Sequence, residues 1–299
     1  MTERINATPE TWLFLGSGGL ALLLAHQETL PFSNQALAIV LAVAVVLTGL
    51  PHGALDPWVA WRAGLWRTWA GFAGFNLVYM AAAAGVVAVW QLAPGASLAL
   101  FLAISAWHFG GDWRKDLNVW GRVMAGSALL ALPALGAPAE VSALFTLLAG
   151  EQGGALASSL GMAAPWLAAV AAAAAVAALR RSTVAAVELA AVAAFALLLP
   201  PLVFFLVYFC ALHSPRHLRN AARSAVSGQR QQMVGVALIY TGLTVVAAAF
   251  VWPWLAEAGM PTATLENNLL RLVFIGLAAL TLPHMIVVMF SEQRDTSPP

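Results

Sequence analysis

The run Leu212-His213-Ser214-Pro215-Arg216-His217 sets two imidazoles four residues apart where a very apolar stretch ends. Polar and ionisable groups at membrane depth are costly and usually face a cavity or a partner, so by default they mark a functional site. Three more histidines sit in comparable settings. Gly49-Leu50-Pro51-His52-Gly53-Ala54-Leu55-Asp56 and Trp107-His108-Phe109-Gly110-Gly111-Asp112 share a His-x-x-x-Asp spacing, and Pro283-His284-Met285 places an imidazole beside a proline inside another apolar run. The chemistry such a set does is metal binding. Imidazole nitrogens suit iron, copper, zinc or nickel, and spacing alone does not choose among them. A metal-bound imidazole usually donates its other ring N–H to a carboxylate or carbonyl, which fixes the tautomer, and Asp56 and Asp112 are candidates for that support. The opposing reading makes each aspartate a solvated cap or interfacial residue and makes His213 and His217 interfacial histidines beside a basic loop. In an unbroken helix His213 and His217 stack at i and i+4. Alternatively, Ser214 caps a new helix with Pro215 at its first position, turning both rings around a kink.

The elements that carry these residues follow from composition. Of 299 residues, 61% are hydrophobic and only 9% charged, against roughly 25% charged in a soluble domain. The alternation of a membrane β-barrel is absent, which leaves helices as the way to satisfy the backbone in lipid. Apolar runs fall at about 11–26, 35–50, 69–92, 97–111, 119–136, 161–179, 183–199, 202–212, 233–254 and 268–290. Pro200-Pro201 either starts the eighth as a separate helix or kinks one longer element, and 144–148 reads as a re-entrant or interfacial piece. The first run reads as a helix rather than a cleaved signal. Arginines and the one lysine of these connections gather after alternate runs, at Arg62 and Arg67, Arg114, Lys115 and Arg122, Arg180 and Arg181, and Arg216 to Arg230. The connections between carry none, Arg271 just inside the last run being the exception, and ten spans with both termini in the cytoplasm fit that alternation.

The expected fold is therefore an all-α polytopic integral membrane helical bundle of about 8–10 transmembrane helices. It forms a single domain over 1–299, with a polar N-terminus at 1–10 and a disordered tail at 292–299. No internal repeat is evident. Cys210 reads as a small core residue, and a net charge of +1 points to no nucleic-acid partner. On this topology His52, His108, His213, His217 and His284 all lie towards the cytoplasmic face, with His26 on the opposite side. That common level argues for one shared site.

Aromatic residues crowd the motifs. Trp58, Trp61, Trp107, Phe109, Trp113, Tyr208 and Phe209 would suit a long planar hydrocarbon entering sideways from lipid, although Trp and Tyr taken singly are also interfacial anchors. Pro51-His52-Gly53-Ala54-Leu55-Asp56, His108-Phe109-Gly110 with Asp112, His213-Ser214-Pro215-Arg216-His217 and Leu282-Pro283-His284-Met285, in this order, resemble the Brp/Blh family of bacterial and archaeal β-carotene 15,15'-dioxygenases. The resemblance implies a membrane-embedded non-haem Fe(II) enzyme that uses O2 to split β-carotene into two molecules of retinal, in a bacterial inner membrane, with a link to microbial rhodopsins. It implies His52, His108, His213 and His217 as iron ligands. His284 is either a further ligand or a group behind the ligands, as are Asp56 and Asp112, and Trp107, Phe109, Tyr208 and Phe209 are candidates to line the substrate path. Three rival readings stand beside it, one of them a structural or assembly partner of a rhodopsin with no activity of its own, against which the histidine cluster argues. Membrane di-iron hydroxylases and desaturases resemble clusters richer in histidine, and a haem- or metal-binding membrane protein without enzymatic activity would favour a polar path through the bilayer, for which only Glu188 and the histidines are available.

Overall fold

The computed structural model describes residues 7–27, 33–225, 228–255 and 264–295. Every regular element among them is helical, as the apolar composition requires where no water can satisfy an open strand. The helices are α1 (Pro9–His26), α2 (Asn34–Ala44), α3 (Leu50–Gly53), α4 (Asp56–Arg62), α5 (Trp69–Leu92), α6 (Pro94–Gly110), α7 (Val119–Gly136), α8 (Pro138–Leu179), α9 (Thr183–Leu198), α10 (Pro201–Val207), α11 (Ser214–Ser224), α12 (Gln229–Leu255) and α13 (Leu265–Asp295). Two π turns, Val45–Gly49 and Tyr208–His213, interrupt the α geometry. The starts are written in the sequence: Thr68, Asn118 and Ser182 cap α5, α7 and α9 by accepting from the backbone N–H three residues on.

Among the described residues six helices are long and apolar enough to cross a membrane, so the chain is an all-α polytopic membrane protein. Of the other apolar runs, α6 has 17 residues and α9 has 16, shorter than the roughly 20 that a full crossing takes. The piece expected at 144–148 belongs to an arm, 138–148, that breaks from the rest of α8 at Ala149 and Gly150. Gly150 has φ +60°, which only glycine adopts without strain. A Cβ on Gly153 would overlap the Phe145 carbonyl oxygen, so glycine lets the arm fold back closely. The expected disordered tail is helical as far as Asp295. Residues 296–299, and 1–6 of the polar N-terminus, lie outside the described residues.

The chain divides into two compact units, a finer partition than the single domain read from sequence. The first comprises Met1–Leu37 and Pro94–Arg216, the second Ala38–Ala93 and His217–Pro299. In the first, α6 to α9 pack on one another and α1 packs on α9, α10 and the second π turn. Small residues let the backbones approach, as in membrane bundles generally. Cβ atoms added at Gly126 and Gly110 would strike the carbonyl oxygens of Ala106 and Arg122, which brings α6 and α7 into contact at the end that carries His108. In the second unit α13 packs on α4 and α5, and α12 on α3, α4 and α13. The Tyr240 hydroxyl donates to Asn76 at 2.7 Å, tying α12 to α5. Outer faces stay apolar: Leu238 and Phe250 on α12 are 69% and 72% exposed, as a lipid-facing surface would be.

The α6–α7 contact yields a stability test. Gly126→Ala is expected to cost about 1–3 kcal/mol through overpacking, seen as a lower melting temperature in detergent. Gly242→Ala, where nothing lies within 4 Å of the added Cβ, should leave it unchanged or raised.

Candidate functional site

In the first unit the site begins with the second π turn. The Ser214 N–H bonds the Phe209 carbonyl five residues back, so the turn holds one residue more than an α turn and rotates the helix after it by about 100°. Ser214 is itself helical and its hydroxyl makes no capping bond. The bend anticipated at Pro215 is thus made by the π turn ahead of it, which suits a proline that cannot donate to a carbonyl four residues back. Tyr208 and His213, first and last in the turn, come out roughly parallel with ring centroids 6.0 Å apart.

Both point at Asp112. The Tyr208 hydroxyl donates to Oδ2 at 2.7 Å, and Nδ1 of His213 lies 3.2 and 3.3 Å from the two carboxylate oxygens. Neither the His213 nor the Asp112 side chain is exposed. A carboxylate only accepts, so Nδ1 carries a proton and in the neutral ring the lone pair of His213 falls on Nε2. That Nε2 lies 3.1 Å from Nε2 of His108, which α6 delivers from across the α6–α7 contact. Two nitrogens bound to one ion at ~2.1 Å and about a right angle would be ~3.0 Å apart, so this pair has the spacing of neighbouring ligands. Phe109 and Phe209 pack on His213 with centroids 4.9 and 5.7 Å away, giving the imidazole apolar walls.

The second unit builds a matching group from different elements. Asp56, in the first turn of α4 and 1% exposed, accepts the Tyr79 hydroxyl from α5 at 2.8 Å on Oδ2 and Nδ1–H of His284 from α13 at 2.8 Å on Oδ1. His284 is therefore also held with its lone pair on Nε2. His52 reaches the same tautomer another way, pairing Nδ1 with the Gly49 carbonyl at the end of the first π turn. A ring nitrogen of His52 lies within 4.8 Å of one of His284, and the His217 ring centroid is 5.8 Å from that of His52.

Behind Asp112 lies a buried charge cluster. Glu188 of α9 accepts from Thr11 of α1 at 2.6 Å, from the Trp113 indole at 3.1 Å and from the Arg216 guanidinium at 2.6 Å. Arg216 also faces Glu10 at 3.8 Å and donates to the Asp112 backbone carbonyl at 3.4 Å. Burial disfavours the charge of Arg216, but Asp112 and Glu188 outweigh it and raise the guanidinium pKa. Glu188, the acidic residue a transport path would use, is locked into this cluster.

The residues singled out in the sequence fall into two groups. His108 and His213, with Asp112, meet in the first unit; His52, His217 and His284, with Asp56, meet in the second. Both aspartates are buried and bound to imidazoles, so neither is a solvated cap. Of the substrate-path candidates, Phe109 and Phe209 are buried beside His213, and Tyr208 is committed to Asp112. Trp107 is 44% exposed beneath the Arg122 guanidinium, on the side of α6 turned away from the buried His108. His26 ends α1, about 24 Å of helix from the Glu10 that joins the cluster. Sequence reading overlooked Tyr79 and gave Glu188 and Arg216 no supporting role. One signal was available for Tyr79: the chain has only three tyrosines, and each donates to a polar side chain within apolar helices.

A family model described as Beta-carotene 15,15'-dioxygenase matches residues 43–291. The chain belongs to that family. It is 31% identical over 264 residues to the "Beta-carotene 15,15'-dioxygenase" of Uncultured marine bacterium 66A03, covering 85% of this chain and 93% of that one. It is 29% identical over 296 residues to the "Probable beta-carotene 15,15'-dioxygenase Blh" of Halobacterium salinarum (strain ATCC 700922 / JCM 11081 / NRC-1), covering 85% and 84%. No solved structure matches. All five histidines and both aspartates lie inside the stretch matched by the dioxygenase family, whereas α1, which supplies Glu10 and Thr11, precedes it.

The cluster predicts coupling between charges. Glu188→Gln removes the carboxylate bonded to Arg216, leaving Asp112 and the more distant Glu10, and should cost about 3 kcal/mol. The double variant Glu188→Gln/Arg216→Met should lose less than the sum of the single variants in thermal unfolding in detergent. Additive losses would show the two side chains to be independent.

Proposed function

We propose that this protein uses O2 to cleave the central 15,15' double bond of β-carotene, giving two molecules of all-trans-retinal, at an Fe(II) ion held by His52, His108, His213 and His217. The observation that carries the reading is the anchoring of His52, His213 and His284 through Nδ1 to protein oxygens, which leaves Nε2 as the nitrogen available to a metal ion, in a chain whose family and curated relatives bear the name of this reaction. An all-imidazole donor set suits a redox-active ion such as iron. Bound iron would supply the activation of O2 that carbon chemistry alone lacks.

The rest falls to the protein. The overall change adds one O2 across one C=C bond and leaves two aldehydes, so no proton is gained or lost and no acid or base is required. Asp56 and Asp112 accordingly take no acid–base role; each carboxylate already accepts from a tyrosine and an imidazole. Phe109 and Phe209 keep water from His213 and offer an apolar surface to a polyene. What remains is registration, holding the 15,15' bond rather than a neighbouring one beside the ion.

The same reading places the protein in a bacterial cell membrane as a multi-pass protein, with both termini in the cytoplasm, in keeping with the alternation of basic connections. A hydrocarbon substrate reaches such a site from the lipid bilayer. The aldehyde product is the chromophore of microbial rhodopsins, the natural consumer of this reaction.

Purified protein is expected to contain iron, and its expression in β-carotene-producing cells should bleach them as retinal appears by chromatography. Unchanged carotenoid with metal present would overturn the substrate, and aldehydes of unequal length would overturn central cleavage. His213→Ala or His217→Ala should abolish iron loading while His26→Ala leaves it intact; equal loss at His26 would contradict the ligand set.

A further inference from the structure

The same device occurs in both units with its parts drawn from different places. In the first, the tyrosine and histidine come from one π turn, Tyr208 and His213, and the carboxylate from the 3-10 turn after α6. In the second, Asp56, Tyr79 and His284 come from α4, α5 and α13. Each aspartate nevertheless accepts a phenolic O–H at 2.7 or 2.8 Å and the Nδ1–H of one histidine. Shared sequence ancestry of the two groups is not needed to explain this; the requirement is chemical. A lone carboxylate beside an imidazole can rotate, or draw the ring to a different angle. A second donor fixed in a helix pins the carboxylate plane, and the plane in turn fixes where Nε2 points.

We propose that Tyr79 and Tyr208 are positioning residues, each holding its aspartate so that His284 and His213 present Nε2 in a fixed direction to a metal ion. His284 is then a fifth ligand-type imidazole beside the four proposed ligands, oriented in the same way as His213, rather than a group behind them. This rests on the proposed function, in which the histidines hold a metal. The phenol hydroxyls each bond one aspartate. Their effect passes through Asp56 and Asp112, whose loss of orientation lowers metal affinity by the 10- to 100-fold typical of groups that orient ligands.

The test uses the full-length protein in detergent, reconstituted with Fe(II) or Co(II) alone, without substrate. Tyr79→Phe and Tyr208→Phe each remove one hydroxyl and keep the ring. Tyr240→Phe removes a hydroxyl that bonds Asn76 instead. Competition with a chelator should show metal affinity reduced about 10- to 100-fold in the first two and unchanged in the third, with the Co(II) visible spectrum altered only in the first two. Wild-type affinity and spectrum in Tyr79→Phe and Tyr208→Phe would overturn the positioning role while leaving the metal site standing. Equal loss in Tyr240→Phe would overturn it too, by showing a general structural effect. Failure of the wild type to bind either ion would instead overturn the metal reading itself. Should the Phe variants not fold, 15N spectra of histidine-labelled wild-type protein decide, because His213 and His284 must appear as Nδ1–H tautomers without metal, and Nε2–H rings there would overturn the proposal.

Discussion

Two carboxylates buried in an apolar helical protein set the terms for everything near them. An ionised carboxyl taken out of water is tolerated only where donors surround it, and an unpaired one costs several kcal/mol. Asp56 and Asp112 meet that requirement with the same pair of donors, one phenol and one imidazole N–H, and Asp112 also faces the Arg216 charge. The pairing has a by-product. A carboxylate cannot donate, so the histidine it holds must keep a proton on Nδ1 and turn Nε2 outward, where the neutral ring carries its lone pair. Satisfying the buried carboxylate and fixing the imidazole are one arrangement.

Much of the local architecture exists to deliver that arrangement. The π turn Tyr208–His213 puts a phenol and an imidazole on one carboxylate from a single stretch of chain, a pairing that regular α geometry would rotate apart. Glycines at 110 and 126 let α6 and α7 close to backbone contact, which seats His108 with its Nε2 3.1 Å from that of His213. Behind them the Glu188–Arg216 cluster ties α1, α9 and the backbone of Asp112 together, so the aspartate is held through its main chain as well as its side chain. In the second unit the corresponding work is divided among helix packings, α13 against α4 and α5. A membrane dioxygenase needs such rigidity, since its substrate offers a row of similar double bonds and no polar handle by which to choose among them.

A good part of this was legible in the sequence. Hydropathy located most of the long helices to within a few residues, and α5 and α7 coincide with their apolar runs, but α8 starts at Pro138, well before the run at 161–179, and α4 and α11 lie outside the runs. The five histidines and two aspartates stood out because polar groups in such stretches need a reason. Partner identity was not legible. His-x-x-x-Asp suggests an imidazole and a carboxylate on one helix face, yet Asp112 holds His213 and Asp56 holds His284, pairs separated by 101 and 228 positions. Tertiary packing decides that, and no local spacing encodes it. The π turns were equally hidden, since a one-residue excess leaves hydropathy unchanged while rotating the chain beyond it. Tyr79 stands outside the histidine motifs and was passed over, and Trp107 was singled out for standing next to His108, although adjacent residues on a helix point about 100° apart.

The most direct measurement is X-ray absorption at the iron edge of the iron-loaded protein. Ring scattering from about four imidazoles and an all-nitrogen protein ligand set are expected, with Asp56 and Asp112 orienting the rings from behind. A spectrum with one or two imidazoles and carboxylate oxygen bound directly to the iron would contradict that expectation.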